Sequence, residues 1–158
     1  MNDPQRDLLR HALAAVAYRG RKAITDAPEG FAGFRAGDAS RSPEEILAHI
    51  GDLFEWALSL VRGAQTWHDS PPLDWPREVT RFFDGLKAFD DALASDQALA
   101  APAERLLQGP VADALTHVGQ LTLLRRLAGA PIRGENYYAA DMAAGRVGPV
   151  QAVPTREW

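Results

Sequence analysis

The chain has no cysteine, which excludes disulfides, thiolate metal ligands and a cysteine nucleophile together. It also lacks an excess of positive charge. Its 17 Lys and Arg stand against 21 Asp and Glu, for a formal net charge of -4 and a pI near 5.5. That is a poor electrostatic match to polyanions, so nucleic-acid binding has no support. Long hydrophobic runs are missing as well. The longest uncharged stretch near the N-terminus, "HALAAVAY", is too short to span a bilayer and lacks a signal peptide's arrangement, so no membrane partner is expected and a soluble, cytoplasmic protein is. No apolar/polar alternation of period two persists, and there is no internal repeat or low-complexity tract. A glycine-rich phosphate loop, a Gly-x-Ser-x-Gly elbow and a His-Glu-x-x-His motif are all absent. Nucleotide hydrolysis, serine-hydrolase chemistry and zincin proteolysis therefore lack support.

What the sequence does have is helical periodicity, in a chain of 158 residues, long enough for one domain with its own core. Asp3 and Pro4 open a first helix that runs to about residue 25, with Leu8, Leu9, Ala12, Ala15, Val16 and Ile24 near helical spacing and Gly20 as an internal weak point. A glycine-containing loop follows, in which Phe31 and Phe34 are positioned to pin the chain to the core. Ser42, Pro43 and Glu45 form a capping-box start for the second helix, whose stripe is Ile46, Ile50, Leu53, Phe54, Ala57, Leu60 and Val61. After the linker "QTWHDSPPLDWP", a third helix starts near Pro76 and carries Val79, Phe82, Phe83, Leu86, Phe89 and Leu93. A short helical segment, "PAERLLQ", precedes Gly109-Pro110, and the fourth long helix is expected from about Val111 to Leu127, ended by Gly129 and Pro131. The expected fold is all-α: a single four-helix bundle domain over residues 1–158 with long connections. The partly irregular tail 129–158 packs over or beside it, with one or two helical turns in "NYYAADMAA".

Three polar residues interrupt the apolar faces. His49 lies inside the stripe of the second helix, while Asp113 and His117 stand one turn apart on the fourth, on a face with Ala114, Leu121 and Leu124. Burying an imidazole and a carboxylate requires something to satisfy them. The plain reading is an Asp113–His117 hydrogen-bonded pair with His49 making a separate core contact. The sharper one is a mononuclear metal site, because facing helices of a bundle bring side chains together in the interior. Two imidazoles and a carboxylate suit a divalent ion, zinc or nickel first and iron or manganese after them, with coordination positions left open.

Other residues admit two readings each. Glu45, four residues before His49, also makes an acid-x-x-x-His pair, but the capping box accounts for it. His11 is a packing or surface residue and His68 a loop histidine. Gln120, one turn after His117, either orients a ligand or substrate through its amide or bridges helices. Arg125 and Arg126 complement the helix dipole. Asn136, Tyr137 and Tyr138 fit a cap over one end of the bundle, with Tyr137 or Tyr138 as a possible phenolic donor to substrate. Trp56, Trp67, Trp75 and Trp158 suggest packing or an interface.

"PEEILAHIGDLFEWAL" followed later by "THVGQLTLLRRLAGAPI" resembles the DinB/YfiT-like family of metal-dependent four-helix bundles. Its members are often dimeric, with a histidine on the second helix and a His-x-x-x-His followed by Gly-Gln on a later one. His49 matches the first of these and His117, before Val118-Gly119-Gln120, the last; the remaining histidine falls on Asp113, a departure from the pattern. The similarity runs from the first helix to about Val147. It implies a homodimer and a small-molecule substrate. In several branches that substrate is a low-molecular-weight thiol in a transferase reaction, and in others the chemistry looks hydrolytic. A non-catalytic, stress-associated bundle that keeps the fold and dimerises is the alternative expectation, and an Fe(II) oxygenase-type triad a third.

Overall fold

The computed structural model describes residues 3–158. Its helices are α1 (Pro4–Ile24), α2 (Pro43–Val61), α3 (Trp75–Ala94), α4 (Ala103–Leu106) and α5 (Ala112–Leu127), with a π-helical turn, Leu107–Val111, joining the last two. No strand occurs among the described residues beyond a single Glu135–Glu157 bridge. The fold is an all-α four-helix bundle, in which α4, the π turn and α5 form one continuous arm.

The helix starts follow the local chemistry. The Asp3 side chain accepts from the Gln5 and Arg6 amides. Ser42 and Glu45 complete the reciprocal capping box at α2. Asp74 caps α3, which therefore begins one residue before the expected Pro76. The expected break at Gly109-Pro110 does not occur. Pro110 has no N–H to give to an α-helical bond, and the wider π turn carries the chain past it without ending the helix.

The packing defines the topology. Arg10 meets Asp90 and Gly20 lies against Phe82, so α1 and α3 are antiparallel. Arg81 reaches Ala48 and Asp52, while Val61 borders a cleft with Ala88 and Ala92, so α2 and α3 run parallel. Two parallel helices cannot be joined by a tight turn. Residues 62–74 must return along α2, whose 19 residues span about 28 Å at 1.5 Å per residue. On the way Ser70 is held by Asp52 through its amide and hydroxyl, at 2.9 and 2.7 Å. This return places Trp67 over the face of α2 that carries His49.

The core is a continuous apolar cluster. Leu13, Val16, Phe54, Phe82, Leu86, Phe89 and Leu121 are all fully buried in it. Leu8 departs from the expected face and is 62% exposed. Phe31 is buried and Phe34 packs at the edge, as the loop reading expects. Gly20 is a contact point, since a Cβ there would overlap the Phe82 ring. Arg125 does more than complement a dipole. It is buried and donates to the carbonyls of Ala23, Thr25, Asp26 and Ala130, closing the C-terminal end of α1. The tail forms no helical turns over "NYYAADMAA". It is tied down by Lys22, which binds Glu135 at 2.8 Å and Glu157 at 2.9 Å, and by Tyr18, which donates to Glu135.

Candidate metal centre

α2 and the α4–α5 arm pack side by side in opposite directions, with Trp56 against Gly109 at one level and His49 against Asp113 and His117 at the next. The π turn ends two residues before Asp113. His49 Nε2 lies 3.6 Å from Asp113 Oδ2, and His117 Nε2 lies 3.4 Å from Asp113 Oδ1. One ligand atom from each of the three residues falls within 4.8 Å of the others. The two imidazoles stand edge to face, 4.7 Å between centroids.

These separations bear on both sequence readings. A satisfied Asp–His pair closes to about 2.7–3.2 Å, and neither histidine does so with Asp113. Two ligand atoms each about 2.0–2.1 Å from one tetrahedral ion stand roughly 3.3 Å apart. The two spacings, each to a different Asp113 oxygen, are near that edge length, and this group could hold a metal ion.

The surroundings orient His117 and favour a neutral His49. His117 Nδ1 lies 2.8 Å from Gln120 Oε1. An amide oxygen only accepts, so the proton sits on Nδ1 and the Nε2 lone pair faces the cluster. Burial lowers the pKa of His49 below the usual imidazole range; the neighbouring His117 and Arg41 lower it further, against an opposing effect of Asp113. An imidazole must be deprotonated to bind a cation, and the lowered pKa favours that form of His49 at neutral pH.

Burial differs across the cluster. The His49 and His117 side chains are 20% and 11% exposed, whereas Asp113 is 47% exposed. The expectation of an aspartate set among apolar groups is therefore corrected: Asp113 stands at the rim, in the first turn of α5, and the histidines stand behind it. Trp67 packs its edge on His49 at 5.6 Å and on Trp56 at 5.8 Å. This neighbour of the site was not legible beforehand, and only the length of the 62–74 connection hinted that something must pass there.

Tyr137 is engaged elsewhere. Its ring packs edge-on against Tyr18 at 6.3 Å and lies under Arg19 at 4.4 Å, so its contacts are with α1 and not with the cluster. Tyr138 is fully exposed, and His11 and His68 are exposed. Glu45 is held by Arg35 and the Ser42 amide, at 2.7 Å each. Both contacts keep its carboxyl ionised, with the pKa lowered to about 2. No helix among the described residues is long and apolar enough to cross a membrane. Compared with known proteins, the chain matches no family model, no curated protein and no solved structure.

Proposed function

We propose that this protein is a mononuclear metalloenzyme in which His49, Asp113 and His117 hold one divalent ion, zinc or nickel before iron or manganese, for transferase or hydrolase chemistry on a small molecule. The observation that carries the reading is the convergence of three residues from two helices: one ligand atom from each falls within 4.8 Å of the others, and each imidazole stands 3.4–3.6 Å from an Asp113 oxygen, longer than a well-closed Asp–His hydrogen bond. The resemblance of "AHIGDLFEW" and "THVGQ" to the DinB/YfiT-like bundles points the same way, and favours a low-molecular-weight thiol as co-substrate.

A divalent ion held by these residues would supply Lewis acidity to a thiol or water. The chain does the rest. His49 and His117 present their Nε2 atoms, and Asp113 adds the carboxylate of the donor set. Gln120 holds the His117 tautomer. Trp67 packs against the His49 ring and fixes one side of it. Aspartate in place of a third histidine makes the donor set harder and anionic, which lowers the net charge the ion presents to substrate.

Elemental analysis of protein purified without added metal tests the proposal. The expected result is one ion per chain in the native protein and none in His49→Ala or His117→Ala, with folding checked by circular dichroism. Native protein with no metal and no uptake on titration with zinc, nickel, iron or manganese overturns it. Asp113→Ala is expected to weaken binding by at least about tenfold; unchanged affinity removes Asp113 from the ligand set.

A further inference from the structure

We propose that Arg41 anchors the substrate, and that the substrate class is an amphipathic monocarboxylate: its carboxylate pairs with the Arg41 guanidinium and its apolar body lies along α5. The inference rests on the metal reading for what happens at the reacting end.

Arg41 lines two clefts that flank the cluster. One, of about 140 Å³, is lined by His49 and by three carboxylates, Glu45, Asp52 and Asp69, which disfavour an anion there. The other, of about 430 Å³, contains His117 and is floored by Ile46, Leu123, Leu124 and Leu127. That volume is in the range of small-molecule sites. Leu123 and Leu127 are 53% and 54% exposed, an apolar strip beside the cluster that folding leaves open to water.

The guanidinium has no ion-pair or hydrogen-bond partner among the described residues, whereas the nearby Arg35 is paired with Glu45 at 2.7 Å. Arg41 directly precedes Ser42, the N-cap of α2. A cation gains nothing from the positive end of a helix dipole, whereas an anion bound there meets both the dipole and the guanidinium. Arg41 is exposed, so its guanidinium is free to meet an incoming anion. One guanidinium with no lysine in the cleft suits a monoanion held by a two-pronged hydrogen bond. A phosphate dianion would call for more donors than the lining offers. The apolar floor then selects for an alkyl or aryl body, and the histidines lie at the end where that body's reactive group would reach.

The test is calorimetric titration of metal-free and zinc-titrated protein with 4-phenylbutyrate and with its neutral amide. The expected result is that the acid binds at least about tenfold tighter than the amide in both forms. In Arg41→Gln that preference falls below about twofold, as loss of a charge-assisted pair requires, while Leu127→Ser weakens acid and amide alike and leaves their ratio unchanged. Three results overturn the proposal: a preference that survives in Arg41→Gln, a preference present only with zinc bound, which would put the carboxylate on the ion, and no binding of either probe. Failure of zinc uptake with the Arg41-dependent preference intact would remove the metal reading and leave the anion site standing. Zinc uptake without the preference would do the reverse.

Discussion

Gln120 shows how a single side chain can set the chemistry of another. It touches no position where a metal would sit, yet its amide oxygen determines which nitrogen of His117 bears the proton. Gln120→Leu removes that control, and metal affinity is expected to fall by about 10–100-fold, measured by competition with a chromophoric chelator. Gln120→Glu keeps an acceptor in place and is expected to retain most of the affinity. His49, Asp113 and His117 were legible as candidates because each is a polar residue at helical spacing on an otherwise apolar face. Their different exposures were not legible. Periodicity gives the side of a helix, but the level at which the helix meets its neighbour depends on packing with residues far away in the chain. Tyr137 illustrates the same gap: its phenol suggested a proton donor, and the tail instead lays it against Tyr18 and Arg19.

At the level of the elements, caps and stripes in the sequence locate α1, α2 and α3 to within a residue or two, because a helix start is a local hydrogen-bonding problem that nearby side chains solve. The π turn was missed for the converse reason. Gly109 and Pro110 are local breakers, and only the packing of Trp56 on Gly109 and of Leu106 and Val111 in the core keeps the arm continuous. Gly20 was also misjudged. Helix propensity makes it a weak point worth about 1 kcal/mol against alanine, but the Phe82 ring occupies the space a methyl group would need. Gly20→Ala is therefore expected to lower stability by about 1–3 kcal/mol despite its better propensity, read as a reduced urea midpoint with unchanged slope. Combined with Phe82→Leu, the loss is expected to be smaller than the sum of the two single changes.

For the molecule as a whole, buried ion pairs tie distant segments together and set the pH range of stability. Burial raises the Asp52 pKa, but the hydrogen bonds from Arg81 and Ser70 outweigh it and leave it lowered. A carboxyl lowered in the folded state contributes stability above its unfolded value of about 3.9 and loses it as pH falls below that. Lys22 lies at the opposite limit. Burial lowers its pKa, Glu135 and Glu157 raise it more, and the net shift is upward. Tyr18 is raised too, by burial and then by Glu135. Both groups hold protons more tightly when folded, so their contribution is complete below about pH 10 and is lost as pH rises beyond it. Urea midpoints measured across pH are expected to show a plateau with an acid limb below about pH 4 and an alkaline limb above about pH 10. Lys22→Met is expected to cost about 3–5 kcal/mol at neutral pH by stranding the Glu135 carboxylate. It is also expected to loosen residues 135–157, read by amide hydrogen exchange. No signal in the tail's own sequence marks this clasp, since its partner is an ordinary lysine on α1.

By itself the sequence determined the class of the fold, the starts of α1, α2 and α3 and the identity of the three polar residues, all of which follow from short-range spacing and local hydrogen bonding. The tertiary structure decided that α2 and α3 run parallel, so that the long return between them carries Trp67 past His49. It also decided that the π turn keeps α4 and α5 as one arm against α2. These are outcomes of packing between segments tens of residues apart, and no local pattern encodes the distance at which two helices meet. That distance brings His49 within reach of Asp113 and His117.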